Sequence, residues 1–182
     1  MFKKQKKIIM NKTITDVLVI GAGPIGLFSV FELGQLGMKS CVVDSLDIIG
    51  GQCSSLYPEK PIYDIPAYPE ISGQKLIDNL LSQIKPFSPK FILGERVEKI
   101  TKENDEFLVF TSNNKSIRCK CILIAAGNGA FGPNKPPLKD IEEYENKSIF
   151  YHITNKSIFK NKKIAIAGGG DSAVDWAIEL AS

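Results

Sequence analysis

The chain has 182 residues, 43% of them apolar and 24% charged, ordinary values for a soluble globular protein of one domain, or of one domain and part of another. Its net charge of +3 is carried by the first twelve residues, where Lys3, Lys4, Lys6, Lys7 and Lys12 stand without an acid and leave the rest at −2, so no basic surface suited to nucleic acid remains. The only apolar run in that basic stretch, Ile8-Ile9-Met10, is too short for a secretory signal, and no run approaches the ~18 apolar residues of a membrane span.

Residues 1–12 read as a basic disordered tail, followed by a first domain over 13–129. Val17–Ile20 is a short apolar run that fits a buried parallel strand. It leads into Gly21-Ala22-Gly23-Pro24-Ile25-Gly26, a G-x-G-x-x-G turn, and then into Leu27, Val30, Phe31 and Leu33 at helical spacing. Gly37 suits a C-terminal cap, and Cys41–Val43 reads as a second strand ending at Asp44. In such a βαβ unit the first glycine makes the tight turn, the second admits a pyrophosphate to the backbone, and the third lets helix and strand pack closely. The diphosphate meets free N–H groups at the positive end of the helix dipole, and an acid in the position of Asp44 accepts from ribose hydroxyls.

Gly50-Gly51-Gln52-Cys53 and Leu56–Pro69 follow, the latter with four prolines and three tyrosines, a composition that excludes a helix or an inner strand. Its Tyr, Ile and Leu content argues for an ordered loop, and a flat aromatic beside amide donors suits a planar heterocycle. Ser72 caps an amphipathic helix carrying Leu76, Ile77, Leu80, Leu81 and Ile84, which ends at Pro86. From Phe91 the period falls towards two. Arg96–Thr101, Glu106–Thr111 and Ser116–Ala125 read as an antiparallel meander that runs into a final parallel strand at Cys121–Ala125. A small-residue turn that allows close backbone approach, Ala126–Phe131, comes next.

Pro133, Pro136 and Pro137 mark a domain boundary, so that 130–182 reads as a linker and the incomplete start of a second domain. There Ile164–Ala167 is expected as a strand and Gly168-Gly169-Gly170-Asp171-Ser172-Ala173 fits G-x-G-x-x-A. A helix follows with Ala173, Val174, Ala177, Ile178 and Ala181 apolar, and with no second strand behind it the chain reads as truncated at its C-terminal end. None of the four cysteines forms C-x-x-C. Cys119 and Cys121, at i and i+2 on one expected strand, could lie side by side. With a single histidine, His152, in a mixed stretch, no metal set emerges, and reduced thiols point to the cytoplasm.

Taken together, Gly50–Gln52, Leu56–Lys60, Ile62–Pro66, Phe131–Pro133 and Gly168–Trp176 make the chain resemble the ferredoxin–NADP(+) reductases of the thioredoxin-reductase-like kind, from about Thr15 onward. The resemblance implies an α/β fold: a Rossmann-like FAD-binding domain with a three-stranded antiparallel meander, plus the first βα unit of a Rossmann-like NADPH-binding domain. It implies that the turn carrying Gly21, Gly23 and Gly26 holds FAD, with Ile25 acting through its backbone, and that Gly168, Gly170, Asp171, Ser172 and Ala173 form the NADPH turn. It further implies that Tyr57 stacks on the isoalloxazine, that Asp44 and Gln52 bond the ribose and the cofactor, that Val97 gives a backbone contact on the adenine side, and that Phe131 lines the flavin. No residue is expected to act as acid, base or nucleophile. The implied activity moves electrons between NADPH and ferredoxin, or a flavodoxin-like one-electron carrier, through FAD in a homodimer. Thioredoxin reductase, another NADPH-linked flavoprotein, and a non-enzymatic FAD-binding fragment stand as alternatives.

Overall fold

In the computed structural model, residues 12–130, 135–153 and 155–181 are described. The expected tail lies outside them except for Lys12, and Phe131 lies outside them as well.

The fold is built outward from β2 (Val17–Ile20), in which Leu18 and Val19 are wholly buried. A strand buried on both faces must have neighbours on both edges and a layer above and below. β2 pairs in parallel with β3 (Ser40–Val43) on one side and β10 (Cys121–Ile124) on the other, and β6 (Lys90–Ile92) extends the sheet beyond β3. Val17, Val19 and Val42 point to one face and meet Leu27 and Val30 of α1 (Pro24–Gln35) and Ile77 and Ile84 of α3 (Gly73–Ile84). Burying each such side chain contributes roughly 1.5–3 kcal/mol. Leu18, Cys41, Val43 and Ile92 point to the other face, onto Val109, Ile117 and Cys119.

Those last three belong to the antiparallel meander of β7 (Val97–Glu103), β8 (Glu106–Thr111) and β9 (Ser116–Cys119). The molecule is therefore layered as helices, parallel sheet, meander. Helix ends follow the sequence closely. Pro24 opens α1, Gly37 at φ +71° follows its last turn with its N–H donating to the Gly34 carbonyl (3.0 Å), and Ser72 Oγ accepts from the Lys75 N–H at 3.3 Å.

Four details depart from expectation. Lys12 is not tail: Lys12–Ile14 forms β1, paired in parallel with β9, so the meander sheet has four strands. β6 was hidden in a stretch too short to show a period. The Leu56–Pro69 loop contains a two-residue strand, β4 (Pro61–Ile62), which among the described residues pairs only with β5 (Ile71–Ser72); proline is tolerated there because the ribbon is all edge. Cys119 and Cys121 do not share a face, because the chain changes sheets at Lys120. The N–H groups of Lys120 and Cys121 both donate to the Asp16 carbonyl (2.9 and 3.1 Å), which leaves Cys119 buried and Cys121 exposed.

The short helix α2 (Gln52–Ser55) stands between β3 and β4, and of the stretch expected to start a second domain α4 (Asp171–Ala181) forms. The stretch expected as its strand, Ile164–Ala167, is exposed and has no strand partner among the described residues. A parallel strand is held by its neighbours, and with none among the described residues the run forms no strand.

Candidate dinucleotide-binding site

The two outer glycines of the first turn are required by the fold. Gly21 lies at φ +110° and a Cβ there would sit 2.2 Å from the Ala125 carbonyl oxygen; one on Gly26 would sit 1.9 Å from the Gly21 oxygen. Gly23 differs. Its φ is −74°, which any residue adopts, and the nearest atom to an added Cβ is Gly51 Cα at 4.0 Å. Nothing among the described residues needs Gly23 to be glycine, yet it stands at the N-terminus of α1, where no side chain among them caps the helix. An open backbone at an uncapped helix start is what a diphosphate occupies. Ile25, the second residue of α1, is 69% exposed.

Asp44, at the end of β3, reaches back over this turn: its Oδ2 accepts the Ala22 N–H at 2.6 Å and its Oδ1 accepts the Leu46 N–H at 2.9 Å. A carboxylate has about four lone-pair sites, so capacity for hydroxyl donors remains.

A second loop faces the first. The Gly50 N–H donates to the Ala22 carbonyl (2.9 Å), and Gly51, at φ +57°, would bring a Cβ within 3.0 Å of Gly23 Cα. Gln52 opens α2 and projects towards the turn after β10, with Nε2 3.7 Å from where a Gly127 Cβ would be. The loops after β2, β3 and β10 thus converge at the carboxyl ends of adjacent parallel strands, the usual ligand crevice of an open α/β sheet. Tyr57 packs half-buried against the helix-side core, and Cys53 Sγ donates weakly to its hydroxyl at 3.9 Å. Burial, with Cys53 adding to it, pushes the Tyr57 phenol up to about 12, and burial raises the Cys53 thiol. Both stay protonated at neutral pH, so neither is a base or a thiolate nucleophile.

Beyond Asp44 lies a cleft of about 380 Å³ lined by Ser45, Leu46, Gly94, Arg96, Ser112 and Ala130. Val97 begins β7 just past it, with its side chain against the meander-side core and a bulge between it and Lys99. Glu95, which the sequence reading passed over, is 2% exposed. It accepts from the Asn113 N–H (3.2 Å) and Nδ2 (3.1 Å) and pairs with Lys115 Nζ at 2.7 Å. Burial pushes its carboxyl up, but Lys115, Thr111 and Asn113 together outweigh that and hold it at about 2.

In the second turn, Gly168 (φ +158°) would place a Cβ 3.3 Å from Ala173 Cβ, the close approach that explains an alanine in the last position. The Ala173 N–H donates to the Gly170 carbonyl at 2.9 Å, and Gly170, Asp171 and Ser172 are exposed at the start of α4. Ion pairs invisible in sequence tie this helix to the Tyr57 segment. Lys60 pairs with Asp175, and Lys156 gives its N–H to Glu59 Oε2 (3.0 Å) and its Nζ to Glu179 Oε2 (2.5 Å) while lying 6.0 Å from the Trp176 ring centre. Among the described residues no group of three His, Cys, Asp or Glu is placed to hold a metal, all four cysteines are free, and no helix is long and apolar enough to cross a membrane.

Comparison with known proteins agrees with this geometry. Residues 60–182 match the family described as pyridine nucleotide-disulphide oxidoreductase. The chain is 57% identical over 169 residues to a ferredoxin–NADP reductase of Anaplasma phagocytophilum (strain HZ), covering 93% of this chain and 50% of the relative. It is 58% identical over 171 residues to that of Ehrlichia canis (strain Jake), covering 94% and 51%. Among solved structures, Lactococcus lactis thioredoxin reductase in its FR conformation superposes with a TM-score of 0.72 at 26% identity, over 92% of this chain and 52% of that one. The chain spans about half the length of the curated relatives it matches. Its two glycine turns, its layered fold and the family match agree: the chain belongs to the pyridine nucleotide-disulphide oxidoreductase family.

Proposed function

We propose that this chain is the FAD-holding part, together with the start of the NADPH-holding part, of a flavin-dependent oxidoreductase that moves electrons between NADPH and ferredoxin or a similar one-electron carrier. The observation that carries this reading is the open cradle at Gly23. It is a glycine the fold does not need, at an uncapped helix start, facing a second glycine loop and flanked by an anchored acid.

The residues present fit FAD. The backbone of Gly21, Gly23, Ile25 and Gly26 would receive the diphosphate, and Asp44 the ribose hydroxyls. Asp44 also favours a free ribose, since a 2′-phosphate beside a carboxylate sets like charges together. Gln52 and Tyr57 would flank the flavin end, with Phe131 beyond the described residues, and Val97 would serve the adenine end. Gly168, Gly170, Asp171, Ser172 and Ala173 would begin the NADPH turn. When bound, FAD supplies the exchange between a hydride donor and one-electron carriers, while the chain supplies placement. Tyr57 and Cys53 stay protonated at neutral pH, which suits that division.

Thioredoxin reductase is the second reading, favoured by the Lactococcus lactis likeness. The cysteines speak against it: Cys41, Cys53 and Cys119 are buried and only Cys121 is exposed, so this chain offers no dithiol. We also place the protein in the cytoplasm as a homodimer, with 13–129 and 130–182 as its domain parts. Anaerobic turnover of a protein of the relatives' full length tests the choice. NADPH-driven bleaching of ferredoxin, with thioredoxin left oxidised, is expected; the opposite pattern overturns it.

A further inference from the structure

Glu95 stands between the two segments that wall the cleft beside Asp44. On one side, the Glu95 N–H donates to the Asp44 carbonyl (2.9 Å) and the Gly94 N–H to the Leu46 carbonyl (2.8 Å), so residues 94–96 are laced to the segment that carries the acid. On the other, the Glu95 carboxylate grips the β8–β9 turn through the Asn113 N–H, Asn113 Nδ2 and Lys115 Nζ. The wall is completed by Arg96 and Ser112, whose N–H groups donate to Ser112 Oγ (3.2 Å) and to the Arg96 carbonyl (2.8 Å). Gly94, Arg96 and Ser112 all line the cleft. A buried carboxylate is costly, and a packed apolar residue would join two strands at least as well. What the carboxylate gives instead is direction, because three donors from one turn fix where that turn sits.

We propose that Glu95 is a positioning residue for the adenylate end of the cofactor: it sets the distance between the Gly94–Arg96 and Ser112–Lys115 walls of the cleft next to Asp44. It touches no cofactor itself and acts through Arg96 and Ser112. The inference rests on the FAD reading given above.

Two probes separate it from a merely structural role. FAD and ADP both carry the adenylate end; FMN lacks it. Glu95→Gln, and the milder Asn113→Ala at the surface of the turn should the first not fold, are expected to weaken FAD and ADP binding by about tenfold, the loss of one hydrogen bond to a charged group, with FMN binding unchanged. Without any ligand, hydrogen exchange should quicken at Ser112 and Asn113 while Ile100 and Val109, in the middle of the β7–β8 ladder, keep their protection. Equal losses for FMN and ADP, or unchanged ADP affinity in a folded variant, overturn the positioning role. A wild-type chain that binds neither FAD nor ADP overturns the cofactor reading itself, whatever the exchange shows.

Discussion

Asp44 Oδ2 lies 2.6 Å from the Ala22 amide nitrogen, so the acid that ends β3 is hydrogen-bonded into the middle of the glycine turn that ends β2. The two loops of the crevice are therefore one mechanical unit: the carboxylate shapes the turn and presents its remaining lone pairs beside it.

Asp44→Ala should weaken FAD binding by tenfold or more, since a hydrogen bond to a charged group is worth roughly 1.5–3 kcal/mol and the turn loses its tether as well. Equilibrium titration followed by flavin fluorescence checks it. Asp44→Asn should retain more affinity than alanine, because its carbonyl can still accept from Ala22.

Gly26→Ala acts on folding. Its Cβ would lie 1.9 Å from a backbone oxygen of the β2–α1 turn, which can move only by separating helix from sheet. A loss of about 3 kcal/mol or more in denaturant unfolding is expected, with the variant poorly soluble.

The Glu95 carboxyl, held at about 2 against an ordinary 4.5, contributes stability that is fully present above pH 4.5 and is lost as pH falls from there towards 2. Unfolding midpoints measured down through this window should fall steeply for the native chain. Glu95→Gln should start lower by about 1–3 kcal/mol, from its weakened bonds, and show a flatter acid slope.

Thiol reactivity should divide the cysteines. Cys121 is exposed, whereas Cys41, Cys53 and Cys119 are buried, and burial pushes the Cys41 thiol up to about 11. An aromatic disulfide reagent at neutral pH should therefore titrate Cys121 rapidly and the others only on unfolding. Cys121→Ser should remove the fast phase and leave stability nearly unchanged.

Much of the fold was legible because its signals are local. The apolar run Val17–Ile20, the Ser72 cap and the apolar face of α3 each fix an element within a few residues, and the G-x-G-x-x-G turn falls between β2 and α1 with Asp44 beside it. What stayed hidden depends on distant partners. β1 and β6 are three-residue strands defined by β9 and β3. Glu95 looks like any strand-end acid until the β8–β9 turn closes over it, and Lys60 meets Asp175 across most of the chain. Ile164–Ala167 failed in the reverse sense: its apolar pattern is that of a buried strand, but the strands that would bury it are not present among the described residues.

Gly23→Ala asks most directly whether the first glycine turn is a cofactor cradle, because the fold has room for that methyl group and a bound diphosphate would not. Thermal unfolding and FAD titration should be measured on the same preparation. The melting temperature should be unchanged and FAD affinity lowered by about tenfold or more, some 1.4 kcal/mol at least. A variant that melts like the native chain and binds FAD equally well would contradict the cradle reading.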